Sequence, residues 1–106
     1  MAYEDAAKDA MLDELGTLAV WEGLLDDGDS EITGGSPAYA RKAVTWAASS
    51  GGIMAANGTL PTFDVPADTV AKVILMSAST AGTKYAEIDV TDEIFAAQGT
   101  YELTAI

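Results

Sequence analysis

The stretch TVAKVILMSASTAGTKYAEIDV, residues 69–90, decides the fold class. Its first ten residues gather Val70, Val73, Ile74, Leu75 and Met76. So many β-branched and large apolar side chains in a short run suit a pleated strand, and this one is expected to run through the middle of a sheet. Residues 80–83 then read as a hairpin turn around Gly82. Beyond the turn, residues 84–90 alternate, with Tyr85, Glu87 and Asp89 against Ala86, Ile88 and Val90, as in a strand with one wet face. Asp92 and Glu93 are expected to begin another turn.

Working outward, residues 100–106 alternate again, with Tyr101, Leu103 and Ala105 on one side. Upstream, residues 60–65 read as a strand whose flanking Pro61 and Pro66 suit a sheet edge or a strand beginning. Residues 53–59 are weakly marked, and 49–52 form a turn. In residues 38–47 the second half is strand-like, with Val44 and Trp46 on one face and Thr45 on the other. Residues 18–25 admit two readings: a strand interrupted by Glu22 and Gly23, or a continued helix. Residues 26–30 are an acidic loop. At the start, Tyr3, Ala7, Met11 and Leu15 recur every four positions, which predicts a helix over about 2–15 with one apolar face and Gly16 as its stop. The expected architecture is mainly β: a small antiparallel β-sandwich or flattened barrel of roughly five to seven strands with one N-terminal helix. It forms one domain over 1–106, with the β part over about 17–106.

Composition narrows the chemistry. Alanine supplies much of the 49% apolar content, so a thin core is expected, completed by contact with a neighbouring chain. There is no cysteine and no histidine. Disulfides, thiolate metal sites and a Ser-His-Asp triad therefore cannot be built within the chain. Seventeen acidic residues against five basic ones leave a net charge of −12, which disfavours free nucleic acid as a partner and favours a basic surface. The first 31 residues carry ten of those acids and only Lys8 as a base. The best apolar run, 73–76, is far short of the ~18 residues of a membrane span. Glu4, Asp5 and Asp9 stand where a secretion signal would be basic and then apolar, so the chain is expected to stay in the cytoplasm of the cell that makes it or to leave by another route.

Three segments invite a functional reading. Asp27, Asp29 and Glu31 alternate like oxygen ligands for a hard cation, but an EF-hand needs glycine at the place of Ile32 and a glutamate at the place of Ala38. The bland alternative is a solvated loop, and no metal or other cofactor is assigned. Gly34-Gly35-Ser36 lacks the lysine of a phosphate loop and reads as a turn into Pro37. Ser36, Tyr39 and Thr45 have no base to activate them, and the carboxylates of Asp64, Glu87 and Asp89 fit solvent-facing strand positions, so no catalytic residue is assigned. Arg41 and Lys42 are two of the five bases and lie close to Tyr39. They either pair internally or meet a neighbour. Trp46 and Tyr39 divide between core and interface. Tyr39, Arg41, Lys42 and Trp46 are accordingly the candidate protein-interface residues, and Tyr39→Ala is expected to loosen attachment without unfolding the domain.

Three stretches in order, GGSPAYARKAVTW (34–46), AAKDAMLD (6–13) near the start and FAAQGTY (95–101) near the end, together with TFDVP (62–66), resemble a family of small virion proteins of tailed bacteriophages, especially those infecting actinobacteria. Members are described as decoration, minor tail or tail-fibre-like proteins. The resemblance implies a non-enzymatic structural role on the virion surface, after synthesis in the bacterial cytoplasm. Its implied partners are the major capsid protein or tail proteins, with self-association, and neither nucleic acid nor membrane. The chain departs from the family in its acidic 26–31 loop, where Thr, Gly and Pro are usual, and in residues 18–25. A fibre shaft needs long repeats and this chain has none, so capsid decoration leads. The alternative is a tail-fibre or minor tail protein in host attachment, including carbohydrate binding on a Trp21–Tyr39 platform.

Overall fold

A computed structural model describes residues 4–53, 55–57 and 61–102. Helix α1 (Asp5–Leu18) is followed by strands β1 (Trp21–Leu25), β2 (Lys42–Ala43), β3 (Thr62–Val65), β4 (Thr69–Met76), β5 (Lys84–Ile94) and β6 (Gly99–Glu102). Among the described residues these strands form a four-stranded sheet in the order β2-β1-β4-β5 and a two-stranded sheet β3-β6. Every pairing is antiparallel. The chain is thus mainly β with one N-terminal helix, as its patterning predicts. The sheets do not close on themselves, so the architecture is that of a flattened sandwich and not a barrel.

The apolar run of 69–78 does become the interior strand. β4 lies between β1 and β5, and Val73, Ile74, Leu75 and Met76 are all buried. Alternation sends these side chains to two faces. On one face Val70 and Val73 meet Leu24, Ile32, Phe63 and Val65, with Ile88, Val90, Phe95 and Tyr101 packed around them. This cluster joins the two sheets, since Phe63 and Val65 come from β3. On the other face Ile74 and Met76 pack with Leu25 and the half-buried Trp21. The β4–β5 turn closes as predicted: Gly82 takes φ +78°, a conformation that costs glycine little, and the Ser77 hydroxyl accepts the Thr83 N–H.

Several boundaries differ from the sequence reading, each for a structural reason. α1 does not stop at Gly16 but continues to Leu18. The Ala19 N–H closes the last turn on the Leu15 carbonyl, and the Trp46 indole N–H takes the Ala19 carbonyl at 2.8 Å. The two readings of 18–25 are both partly realised, with helix to Leu18 and strand from Trp21. Asp92 and Glu93 do not turn. They stay in β5, which absorbs its extra residues in register shifts opposite Val70–Lys72 and Leu75–Met76. β2 shrinks to Lys42–Ala43, although Val44 beyond it is buried. Tyr3, Leu60, Leu103 and Ala105 lie outside the described residues.

Candidate functional site

β2 pairs with only Trp21 and Glu22, so the same edge of β1 would be bare from Gly23 onward. Residues 31–41 cover it. Asp26 folds the acidic loop back on itself, its carboxylate accepting the N–H groups of Gly28 and Ser30, both at 2.9 Å. The returning chain bridges Leu25 with Glu31, and the Ile32 N–H donates to the Leu24 carbonyl. The remaining donor, the Leu24 N–H, is met by a side chain: it donates to the Tyr39 hydroxyl oxygen at 2.8 Å. The Tyr39 ring stacks against Phe63 with centroids 6.2 Å apart and planes 19° from parallel.

Tyr39 then passes the interaction on. Its hydroxyl donates to Glu31 Oε2 at 2.8 Å. Arg41 grips the same carboxylate with two prongs, Nε on Oε2 and Nη2 on Oε1, both at 2.8 Å. Its Nη1 donates to the carbonyls of Ala78 at 3.0 Å and Ala81 at 2.7 Å, tying the β4–β5 turn to β1. A planar guanidinium with donors along two edges can do this, whereas an ammonium cannot. Burial pulls the Glu31 carboxyl upward, but hydrogen bonds from Arg41 and Tyr39 and the Arg41 charge outweigh it and leave it below its ordinary value. Burial chiefly, with Glu31 adding to it, pushes the Tyr39 hydroxyl well above its usual range. Gly23 is required for this approach: a Cβ there would stand 2.8 Å from the Tyr39 hydroxyl and 3.0 Å from Glu31 Oε2.

Glu31, Tyr39 and Arg41 line a shallow cleft of about 290 Å³ with Ile32, Gly34 and Ala81. Glu31, Tyr39 and Arg41 are already committed to one another. Of the four candidate interface residues, Tyr39 and Arg41 lie in this brace. Tyr39→Ala would therefore remove a stacking partner, a strand hydrogen bond and a Glu31 ligand together, and the expectation that it spares the fold is corrected. Trp46 holds the end of α1 through Ala19 and lines a second cleft with Asp13, Gly16 and Thr17. Lys42 is half-buried on β2 and makes no ion pair among the described residues.

The roles of three residues are not visible in the sequence. Gln98 clamps the Gly34–Pro37 turn, accepting the Ser36 N–H and donating to the Pro37 carbonyl, both at 3.1 Å. Glu31 was grouped with a cation loop, although the shortage of bases around Arg41 did signal internal pairing. Glu22 was read as breaking a strand. It lies within β1 and is fully buried, and neither carboxylate oxygen has a hydrogen-bond partner. Its register neighbours are Leu75 on β4 and Lys42 on β2, yet it forms no ion pair with Lys42. Burial pushes its carboxyl up to about 7.

Elsewhere, Asp29 of the acidic loop pairs with Lys72 at 2.6 Å, and Lys72 and Lys84 both reach Glu87. Among the described residues, no three carboxylates gather in metal-binding geometry. No described helix is long and apolar enough to cross a membrane. Compared with known protein families, curated proteins and solved structures, the chain finds no match.

Proposed function

We propose that the chain is a non-enzymatic structural protein of a tailed-phage virion, bound as a decoration protein to the outer capsid shell. One observation carries the non-enzymatic part. Glu31, Tyr39 and Arg41 of the cleft beside β1 are engaged in bracing: Glu31 accepts three hydrogen bonds from Arg41 and Tyr39, and Arg41 donates to Glu31 and two carbonyls. A catalytic group must exchange a proton or lone pair with substrate, and these would first have to break the bonds that hold the strand edge. The virion setting rests on the resemblance of residues 34–46, 6–13 and 95–101. The Gln98 clamp adds a physical link, because it ties two of those stretches together. A small sandwich with a net charge of −12 suits docking on a basic shell, where many weak contacts add through avidity. Of the four candidate interface residues, Lys42 keeps an ammonium available for a neighbour.

Copy number tests the reading. Purified particles separated into heads and tails, with the protein quantified in each, should give hundreds of copies on heads. A handful confined to tails would replace decoration with a tail role, and absence from particles would overturn the virion reading altogether.

A further inference from the structure

Helix α1 divides its apolar residues between two sides and leaves one of them in water. At ~100° per residue, Asp5, Asp9, Asp13 and Gly16 share one side with the half-buried Leu12, while Ala7, Met11 and Leu18 share the opposite side with the half-buried Leu15 at its flank. The aspartate side is the one that meets the domain. Asp9 Oδ1 accepts the Gly52 N–H and Asp13 Oδ1 accepts the Ser49 N–H, each at 2.9 Å, and the Ser49 hydroxyl donates to the Asp9 carbonyl. The apolar side points away. Met11 is 48% and Leu18 41% exposed, and no residue of the helix is buried. Ile53, on the turn that these aspartates hold, is 72% exposed. Left in water, such side chains forgo roughly 25 cal/mol for each Å² that could be buried.

We infer that the outer face of α1, centred on Met11 and Leu18, docks into an apolar groove of another protein rimmed by lysine or arginine. Charge selects this occupant. Between Glu4 and Leu18 the segment carries five carboxylates against the single ammonium of Lys8; Asp5, Asp9 and Asp13 lie on the domain side, and Glu14 lies beside the apolar stripe. A second copy of the helix would bring the same charges against these. Two such short stripes would also bury only a few hundred Å², well under the roughly 1,200 Å² of a stable interface. An anionic bilayer repels the helix for the same electrostatic reason. A basic groove in a larger protein adds contact area on both sides of the stripe and pairs Glu14 beside it, as in other helix-in-groove complexes. The inference stands on the helix alone. On a virion the groove would belong to a shell protein.

The test uses the full chain and a fluorescent amphipathic helical peptide of leucine and lysine as the probe, followed by anisotropy at physiological ionic strength. The double substitution Met11→Ser, Leu18→Ser should weaken binding about ten-fold while leaving circular dichroism and the melting temperature unchanged, because neither side chain supports the fold. Equal affinity of the two proteins would overturn the proposal by showing that charge alone attracts the peptide. Light scattering of the wild type should report a monomer, and a dimer abolished by the double substitution would reassign the face to a second copy. Flotation with phosphatidylglycerol vesicles that depends on Met11 and Leu18 would reassign it to membranes. Presence or absence of the protein on particles bears on none of these readouts, so the two proposals fail separately.

Discussion

Two glutamates, one within β1 and one bridged to its end, meet opposite fates. Glu31, just beyond the strand's far end, is gripped by Arg41 and Tyr39 and keeps its charge readily. Glu22, second in the strand, is more deeply buried and has no hydrogen-bond partner. The difference shows that burial alone does not set the state of a carboxyl group. What surrounds it decides whether burial costs the charge or retains it. The brace locks a strand edge to a distant turn, whereas the bare carboxyl makes the same strand sensitive to pH.

Breaking the partnered side should cost most. Arg41→Ala leaves Glu31 with a single hydrogen bond and strands the Ala78 and Ala81 carbonyls. Urea denaturation at neutral pH should show a loss of about 3 kcal/mol, the lower end for a broken buried pair because Glu31 remains partly in water. Arg41→Lys should recover only part of this, since an ammonium cannot span both the carboxylate and the turn.

The unpartnered side should show itself through pH. Between about 4.5 and about 7 the folded chain keeps a proton on Glu22 that the unfolded chain has released, so raising the pH favours unfolding across that window. The accumulated loss is about 3 kcal/mol and is complete above the folded value. Denaturation at pH 5 and pH 8 measures it, and Glu22→Met should abolish most of the difference and be the more stable protein at pH 8. Glu31 works in the other direction. Its lowered carboxyl contributes stability that is present above pH 4.5 and is lost as pH falls through its folded value.

A finer cut separates the two halves of Tyr39. Tyr39→Phe keeps the stack on Phe63 but leaves the Leu24 N–H without an acceptor and Glu31 with one donor fewer. The expected loss is about 1–2 kcal/mol, with faster amide exchange at Leu24 as the local signature. An unchanged Leu24 amide would mean that water replaces the hydroxyl and that the ring alone matters.

Part of this was legible in the chain. The β-branched run from Val70 to Met76 specified an interior strand because little else accommodates so continuous an apolar surface, and Gly82 marked its turn. The apolar spacing of Ala7, Met11 and Leu15 specified a helix and its apolar side. It did not say whether that side faces the domain, because periodicity carries no information about what lies opposite. β5 was legible to Val90 and not to Ile94, since a register shift breaks the alternation by which a strand is recognised. Glu22 was misread as an interruption because a lone charge in a strand is costly unless neutralised, and nothing local reveals that burial will neutralise it.

Read alone, the residues specify the mainly-β class, the N-terminal helix, the central strand and the absence of cysteine and histidine chemistry. These follow from local propensity, side-chain period and composition. Long-range packing settles that Arg41 reaches two carbonyls some forty residues away, that Tyr39 caps a strand edge, and that α1 turns Asp9 and Asp13 toward the domain. Each depends on contacts between segments far apart in the chain, where geometry and not periodicity selects the partner.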